Sequence, residues 1–218
     1  MKRLALIIGF IWTAGLHLAS GQVIGSLGVK AGMSLSNQTY RITPIEYIMG
    51  TNAVVGPAMA FFIESFRGEN FSLQTDLYLV CRGSSTTTHS VTIDHTDGDR
   101  VVANLGEPLA SRHRYLSIAP MLRAKSYNGG VEPYALFGPR IDRLIYYSTE
   151  SEYPLEEQNS WIMGLTMGVG VEFSLNGRVL FGEIQYQPDL SPVTNREPLL
   201  VNNNSLLFTL GIRWMKAP

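Results

Sequence analysis

The sequence predicts an all-β fold, an eight-stranded antiparallel up-and-down β-barrel that crosses a membrane. Three features support this prediction. Apolar and polar residues alternate in segments that are at least as long as a tilted membrane-spanning strand, roughly 9–11 residues. Charged residues occupy the polar face of several segments, and the connections between segments are alternately short and long. Apolar side chains facing lipid and polar side chains facing a lumen produce this pattern.

The alternation is clearest from Met163 to Leu175. Its odd-numbered residues are all apolar, and its even-numbered residues are glycine, threonine, glutamate or serine. Successive side chains of a strand point to opposite faces, so one face is apolar and the other is small or charged. The last segment repeats the pattern with five residues assigned to lipid, namely Leu206, Phe208, Leu210, Ile212 and Trp214.

Eight strands follow from these patterns. They are Val23–Ser36, Ala53–Phe66, Phe71–Ser84, His113–Ser126, Glu132–Tyr146, Ser160–Leu175, Arg178–Ser191 and Ser205–Met215. The short connections are Arg67–Asn70, Tyr127–Val131 and Asn176–Gly177, the last a two-residue hairpin signal. The long ones are Asn37–Asn52, Ser85–Arg112, Tyr147–Asn159 and Pro192–Asn204. Outer-membrane barrels keep turns on the periplasmic side and long loops outside the cell. Pro120 and Pro139 each remove a ladder donor in mid-strand, where a bulge is expected.

The chain begins with features of a secretory signal. Lys2 and Arg3 precede the apolar stretch Leu4–Trp12, and the small residues Ala19–Gly21 precede an expected cleavage at Gln22. The predicted organisation is therefore a signal peptide at 1–21 and one outer-membrane barrel domain at 22–218. No later segment reaches about 18 apolar residues, so no helical membrane span is expected.

Charge and cysteine content exclude several classes of function. The formal net charge is −1 and the pI is about 6.4, which argues against a nucleic-acid partner. Cys81 is the only cysteine, so neither an internal disulfide nor a cysteine-based zinc cluster can form. Its position assigns it to the lipid-facing side. We expect no cofactor and no metal site.

Twelve charged residues fall on the polar faces and are assigned to the lumen. They are Lys30, Glu64, Asp76, Arg82, Arg123, Lys125, Arg140, Asp142, Glu172, Glu183, Asp189 and Arg213. Because isolated buried charges are very costly, we expect these residues to pair or to stay hydrated. An eight-stranded barrel is just wide enough for side chains to fill, so the prediction is a plugged lumen without conduction. A proton or ion path and a ligand pocket are the alternatives.

Aromatic residues mark both ends of the predicted lipid-facing belt. Trp161 lies near the long loops, whereas Phe71, Phe173 and Trp214 lie near the short turns, all on the outward face. These positions predict the two aromatic girdles of a membrane barrel.

Five short motifs, spread over most of the mature chain, resemble those of a known protein family. They are Gly28–Asn37 (GVKAGMSLSN), Tyr115–Pro120 (YLSIAP), Pro133–Pro139 (PYALFGP), Gly168–Phe173 (GVGVEF) and Leu210–Trp214 (LGIRW). This set resembles the PorT-like outer-membrane β-barrel domain, often described as porin family protein. The resemblance implies an outer-membrane location in a Gram-negative cell, and some members act in protein secretion. Such chains often end on an aromatic residue, whereas Met215–Pro218 follow Trp214 here.

Residues that could carry enzymatic or metal chemistry lie in or beside the longest loop. They are His89, Ser90, Asp94, His95, Asp97, Asp99 and Ser111. Asp97–Gly98 is also a plain turn signal, and the spacing fits no calcium-binding loop. Another loop is acidic through Glu150, Glu152, Glu156 and Glu157. It is either simply solvated or binds divalent cations that bridge lipopolysaccharide, or a basic partner.

The sequence therefore predicts an integral outer-membrane barrel, not an enzyme, that has a structural, adhesive or envelope- or secretion-interaction role through its long loops. The expected partners are outer-membrane lipid, lipopolysaccharide and an envelope or secretion-machinery protein. The alternative is an outer-membrane barrel protease or acyltransferase with loop-side His and Asp chemistry. A soluble ligand-carrying barrel would need the inverse pattern, an apolar lumen and a polar exterior.

Overall fold

The computed structural model of the chain describes residues 24–42, 47–86, 91–94, 100–103, 109–126, 130–149, 159–175, 177–196 and 199–215. These residues form twelve strands. They are β1 (Ile24–Ile42), β2 (Tyr47–Gly50), β3 (Asn52–Ser65), β4 (Phe71–Thr86), β5 (Val91–Asp94), β6 (Arg100–Ala103), β7 (Leu109–Lys125), β8 (Val131–Thr149), β9 (Trp161–Leu175), β10 (Arg178–Pro188), β11 (Thr194–Arg196) and β12 (Leu199–Met215). Among the described residues, no helix is long and apolar enough to cross a membrane.

Eight of the strands form one closed antiparallel barrel. The order around the barrel is β1, β3, β4, β7, β8, β9, β10 and β12, and β12 pairs with β1 to close it. That closing ladder runs from Ser26↔Met215 to Ile42↔Leu199. Closure leaves no barrel strand with an unpaired edge, as the interior of a bilayer requires because it holds no water to bond free backbone groups. The predicted fold class is confirmed.

Burial alternates along the strands as the sequence predicts. In β9, Val169 is 61% exposed on the outer face, whereas Thr166 is fully buried on the inner face. The aromatic residues proposed for the girdles, Trp161, Phe71, Phe173 and Trp214, are all exposed on the outside. The barrel thus has an apolar exterior and a polar core, the inverse of a soluble protein.

The strands flanking the short connections end within one residue of the predicted positions, and six of the eight barrel strands run further into the long connections than predicted, whereas β9 and β10 stop short of them. β1 continues to Ile42 and β12 begins at Leu199, so much of the predicted loops Asn37–Asn52 and Pro192–Asn204 is paired strand. Polar residues such as Gln38 and Asn203 resemble loop residues in the sequence, yet they pair with each other. The additional short strands β2 and β11 extend this pairing, and β5 pairs with β6 within the longest connection.

The two mid-strand prolines are accommodated without the expected bulge at either of them. The register of β7 with β8 is the same at Ile118↔Ile141 and at Leu122↔Phe137, although the pairs between these two positions are missing from the ladder. This register puts Pro120 opposite Pro139, so the two missing N–H groups fall in the same stretch of one ladder. The irregularity between these strands lies instead at Arg114 and Tyr115.

Candidate functional site: the charged lumen

The lumen nearest the short turns contains a closed ring of four alternating charges. This turn-side ring consists of Glu64, Arg123, Glu172 and Arg213, whose side chains are at most 2% exposed. Arg213 lies 3.1 Å from Glu64 and 2.8 Å from Glu172, and Arg123 pairs with both carboxylates in turn. Ser26 and Ser72 donate hydrogen bonds to Glu64 at 2.6 and 2.7 Å. Every charge in the ring is therefore shared between two opposite charges, which offsets the cost of burying it.

A triad occupies the middle of the lumen. Lys30 Nζ lies 2.7 Å from Asp76 Oδ2 and 2.5 Å from Glu183 Oε1, and all three side chains are fully buried. Tyr134 donates its hydroxyl hydrogen bond to Glu183 at 3.1 Å. The Lys30 ammonium also lies 5.0 Å from the centroid of the Tyr78 ring. One cation thus serves two carboxylates in this central triad.

A second ring of four alternating charges lies toward the long loops. This loop-side ring consists of Arg82, Arg140, Asp142 and Asp189, again with fully buried side chains. Asp142 Oδ2 lies 2.6 Å from Arg82 and 2.8 Å from Arg140. Asp189 pairs closely with Arg140 and lies 4.0 Å from Arg82. As in the turn-side ring, two arginines alternate with two carboxylates, but here the residues come from different strands.

The structure brings eleven of the twelve predicted lumen charges into these three clusters. The exception is Lys125, which is half-buried at the turn end and forms no ion pair within the described residues. The expected balance of six and six charges therefore becomes five cations and six carboxylates in the clusters. Because each ring contains two charges of each sign, the extra carboxylate belongs to the central triad.

Uncharged polar residues outside the predicted set of lumen residues connect the clusters. Gln185 donates to Glu183 at 2.6 Å, and Gln187 donates to Gln185 at 2.8 Å. Arg82 completes the chain by donating to Gln187 at 2.6 Å. Residues 183, 185 and 187 share one face of β10, so the period of two in the sequence could have identified them. Together they link the central triad to the loop-side ring.

Apolar side chains fill the lumen between and beyond the ionic clusters. Phe62 and Phe181 meet edge to face at 5.4 Å in an inner apolar layer. At the loop end, Val193 packs with Ile162 and Val201 over the ionic residues. Backbone bonds from Asn159 to Val193 and from Val193 to Val201, both 2.7 Å, hold this cover in place. The lumen is therefore a packed core that pairs and desolvates its charges.

Most of the residues that could carry enzymatic or metal chemistry lie outside the described part of the chain. His89, Ser90, His95, Asp97 and Asp99 lie outside the described residues, and so do the acidic loop residues. Asp94 lies in β5, and Ser111 lies in β7, where its hydroxyl is within 3.2 Å of Gln38. Among the described residues, no group of His, Cys, Asp and Glu is arranged to hold a metal ion.

Comparison with solved structures gives the same fold. The outer-membrane protease OmpT of Escherichia coli superposes with a TM-score of 0.51 at 8% identity, covering 88% of this chain and 97% of that chain. The chain shares the closed antiparallel β-barrel fold of that outer-membrane protein. Neisserial surface protein A also matches, with a TM-score of 0.44 and 12% identity over 87% of this chain and 97% of that one.

The attachment invasion locus protein Ail of Yersinia pestis, crystallised with a heparin analogue, matches with a TM-score of 0.42 and 13% identity. That match covers 88% of this chain and 99% of Ail. No protein-family model matches the chain, and no curated protein does. At 8% identity the OmpT structure shows the fold alone, so the activity of this barrel must be argued from its own residues.

Proposed function

We propose that this protein is a non-conducting outer-membrane scaffold, without enzymatic chemistry, that presents long loops for a structural, adhesive or envelope-interaction role. One observation carries the proposal: three ionic clusters and the apolar layers around them occupy the lumen from the turn end to the loop end. A filled lumen offers no aqueous path, and the outer face is committed to lipid. The loop end is then the surface available to a partner, and functional residues commonly lie on loops held by a rigid scaffold.

The proposal also includes the family of the protein and its orientation in the membrane. The strand motifs Gly28–Asn37 and Leu210–Trp214 support membership of the PorT-like barrels, whose members include secretion components. The alternation of short turns and long connections supports an orientation with the turns in the periplasm and the loops outside the cell. The expected protein partner is an envelope or secretion-machinery protein that binds the loop end.

The experiment that tests the proposal is single-channel recording of the purified protein in planar lipid bilayers. We expect no steady open-channel current, because paired and packed side chains fill a barrel of this width. Heat-modifiable migration in gels shows beforehand that the inserted protein is folded. Large, steady currents from folded protein would reject the plugged-lumen function.

A further inference from the structure

Three arginines lie together on the outer face of the barrel at its loop end. Arg112 and Arg114 lie on β7 and Arg143 lies on β8, and all three side chains are exposed. These residues are named the arginine patch. Arg114 is paired across the strands with Tyr146, and Arg143 is paired with Trp161 of β9. The patch therefore spans neighbouring strands beside two exposed aromatic residues.

A β-bulge in β8 brings these residues onto one face. The pairing changes from Arg114↔Tyr146 to Tyr115↔Leu144, which leaves Ile145 as an extra residue. In a regular strand, Arg143 and Tyr146 would point to opposite faces because they are three residues apart. The extra residue lets both point outward, and bulges commonly redirect side chains in this way at functional positions.

Two of the three guanidinium groups, those of Arg114 and Arg143, lie over aromatic rings. Arg114 Cζ lies 5.0 Å from the centroid of the Tyr146 ring, and Arg143 Cζ lies 5.5 Å from that of Trp161. Within the described residues, none of the three arginines forms an ion pair. Among carboxylates with a described side chain, the exposed one is Glu69, in the turn at the opposite end of the barrel. Within the described part of the chain, no carboxylate compensates the positive charge of the patch.

The depth of the patch in the membrane suggests what neutralises it. An arginine on the lipid face is strongly destabilising at the bilayer midplane but nearly neutral near the interface. Trp161, which the sequence assigns to the loop-side girdle, and the neighbouring Tyr146 are 60% and 53% exposed, and exposed aromatic residues of this kind lie at the interface in membrane barrels. At headgroup depth, the anions that face the barrel are lipid phosphates, and the arginine fork suits a phosphate with two parallel hydrogen bonds.

We propose that the arginine patch binds the phosphate groups of lipid A, the glycolipid anchor of lipopolysaccharide in the outer leaflet. Lipid A carries phosphate on a bulky sugar headgroup, which matches three guanidinium groups spread over two strands better than a single phosphodiester does. The inference rests on the proposed orientation with the loops outside the cell. It is independent of the plugged lumen and of any protein partner.

The test is a titration of the folded, exported protein in an uncharged detergent. Trp161 emission is the readout, in a Trp214→Phe background, because Trp161 contacts Arg143. The ligands are lipid A with two phosphates, the same lipid A with its phosphates removed, and phosphatidylglycerol. We expect lipid A with phosphates to bind about tenfold more tightly than either other lipid, the equivalent of about 1.4 kcal/mol. Equal affinity for the two forms of lipid A would overturn the proposal, and so would equal affinity for phosphatidylglycerol.

Matched variants assign the effect to the patch. Arg112→Gln/Arg114→Gln/Arg143→Gln should lose the preference for phosphate, whereas Arg178→Gln, an exposed arginine at the turn end, should keep it. A triple variant that retains the preference would overturn the proposal. If the triple variant does not fold, Arg114→Gln and Arg143→Gln alone should each weaken binding about threefold, and full affinity in both would be decisive against it. Because binding is measured in detergent, failure here leaves the conductance test of the scaffold function unaffected.

Discussion

Lys30 Nζ lies 2.7 Å from Asp76 Oδ2, although β1 and β4 are separated around the barrel wall by β3. The same ammonium lies 2.5 Å from Glu183 on β10. A lysine in the middle of the lumen therefore joins strands that share no ladder. Its removal would leave two carboxylates facing each other in a space with no exposure to solvent.

The first prediction compares the two signs of charge in the central triad. Lys30→Met should destabilise the barrel by about 3–5 kcal/mol because it leaves two buried carboxylates without a cation. Glu183→Gln should cost about 1 kcal/mol, because Lys30 keeps Asp76 as a partner and the amide still accepts hydrogen bonds. Reversible urea unfolding in liposomes measures both free energies. Equal costs would contradict the assignment of the extra carboxylate to this triad.

The second prediction concerns a glycine under an aromatic ring. A Cβ atom on Gly170 would overlap the Tyr134 ring, whose hydroxyl holds Glu183. Gly170→Ala should therefore cost roughly 1–3 kcal/mol through overpacking. The control is Gly182→Ala on the outer face, where the added atom would meet only the end of the Leu210 side chain, at 3.3 Å. The same unfolding assay should show the control close to the unchanged protein, and similar losses for both would argue against the packed lumen.

The third prediction locates the bilayer on the outer face. Val169 lies in the middle of β9, and Val169→Arg should lower the free energy of unfolding by about 2–4 kcal/mol. Trp161 lies at the proposed girdle, where the charge of Trp161→Arg should lower it by only about 0–1 kcal/mol. Because Trp161→Arg also removes an aromatic anchor, Trp161→Ala is the matched reference for that position, and Val169→Ala is the reference for the other. Unfolding free energies in liposomes give the two differences. A charge penalty that is independent of depth would mean that the apolar belt does not face lipid.

The fourth prediction separates the scaffold from its longest connection. The barrel strand β4 ends at Thr86 and the next barrel strand, β7, begins at Leu109. A deletion must stay between these two residues to keep ladder pairs such as Ser85↔Ala110. Shortening 88–107 should leave heat-modifiable folding intact and abolish capture of a loop-binding envelope protein from detergent-solubilised outer membrane. A His95→Ala variant should capture that protein as the unchanged chain does. If His95→Ala alone abolished a hydrolase or acyltransferase activity, the non-enzyme proposal would fail.

The alternation of residues by itself determined which face of each strand meets lipid. Side-chain direction alternates with a period of two in any strand, so Met163–Leu175 specified its own two faces without reference to the rest of the chain. The hairpin at residue 177 was equally local, since Gly177 adopts φ 76°, a conformation that glycine favours. The number of barrel strands and the outward direction of the aromatic residues assigned to the girdles followed from the same local signals, whereas the short strands β2, β5, β6 and β11 did not.

The tertiary structure decided which charges meet and where the strands end. Lys125 has the same parity as Arg123, yet it lies at the turn end outside the ionic clusters, because parity gives a face but no depth. The partners of Lys30 depend on the register of several ladders at once, and a slip by one residue in any of them would turn its side chains to the other face. The bulge at Ile145, which aligns Arg143 with Tyr146, likewise exists only in the pairing of β8 with β7. Local sequence sets side-chain direction, whereas register and closure of the whole barrel set the neighbours.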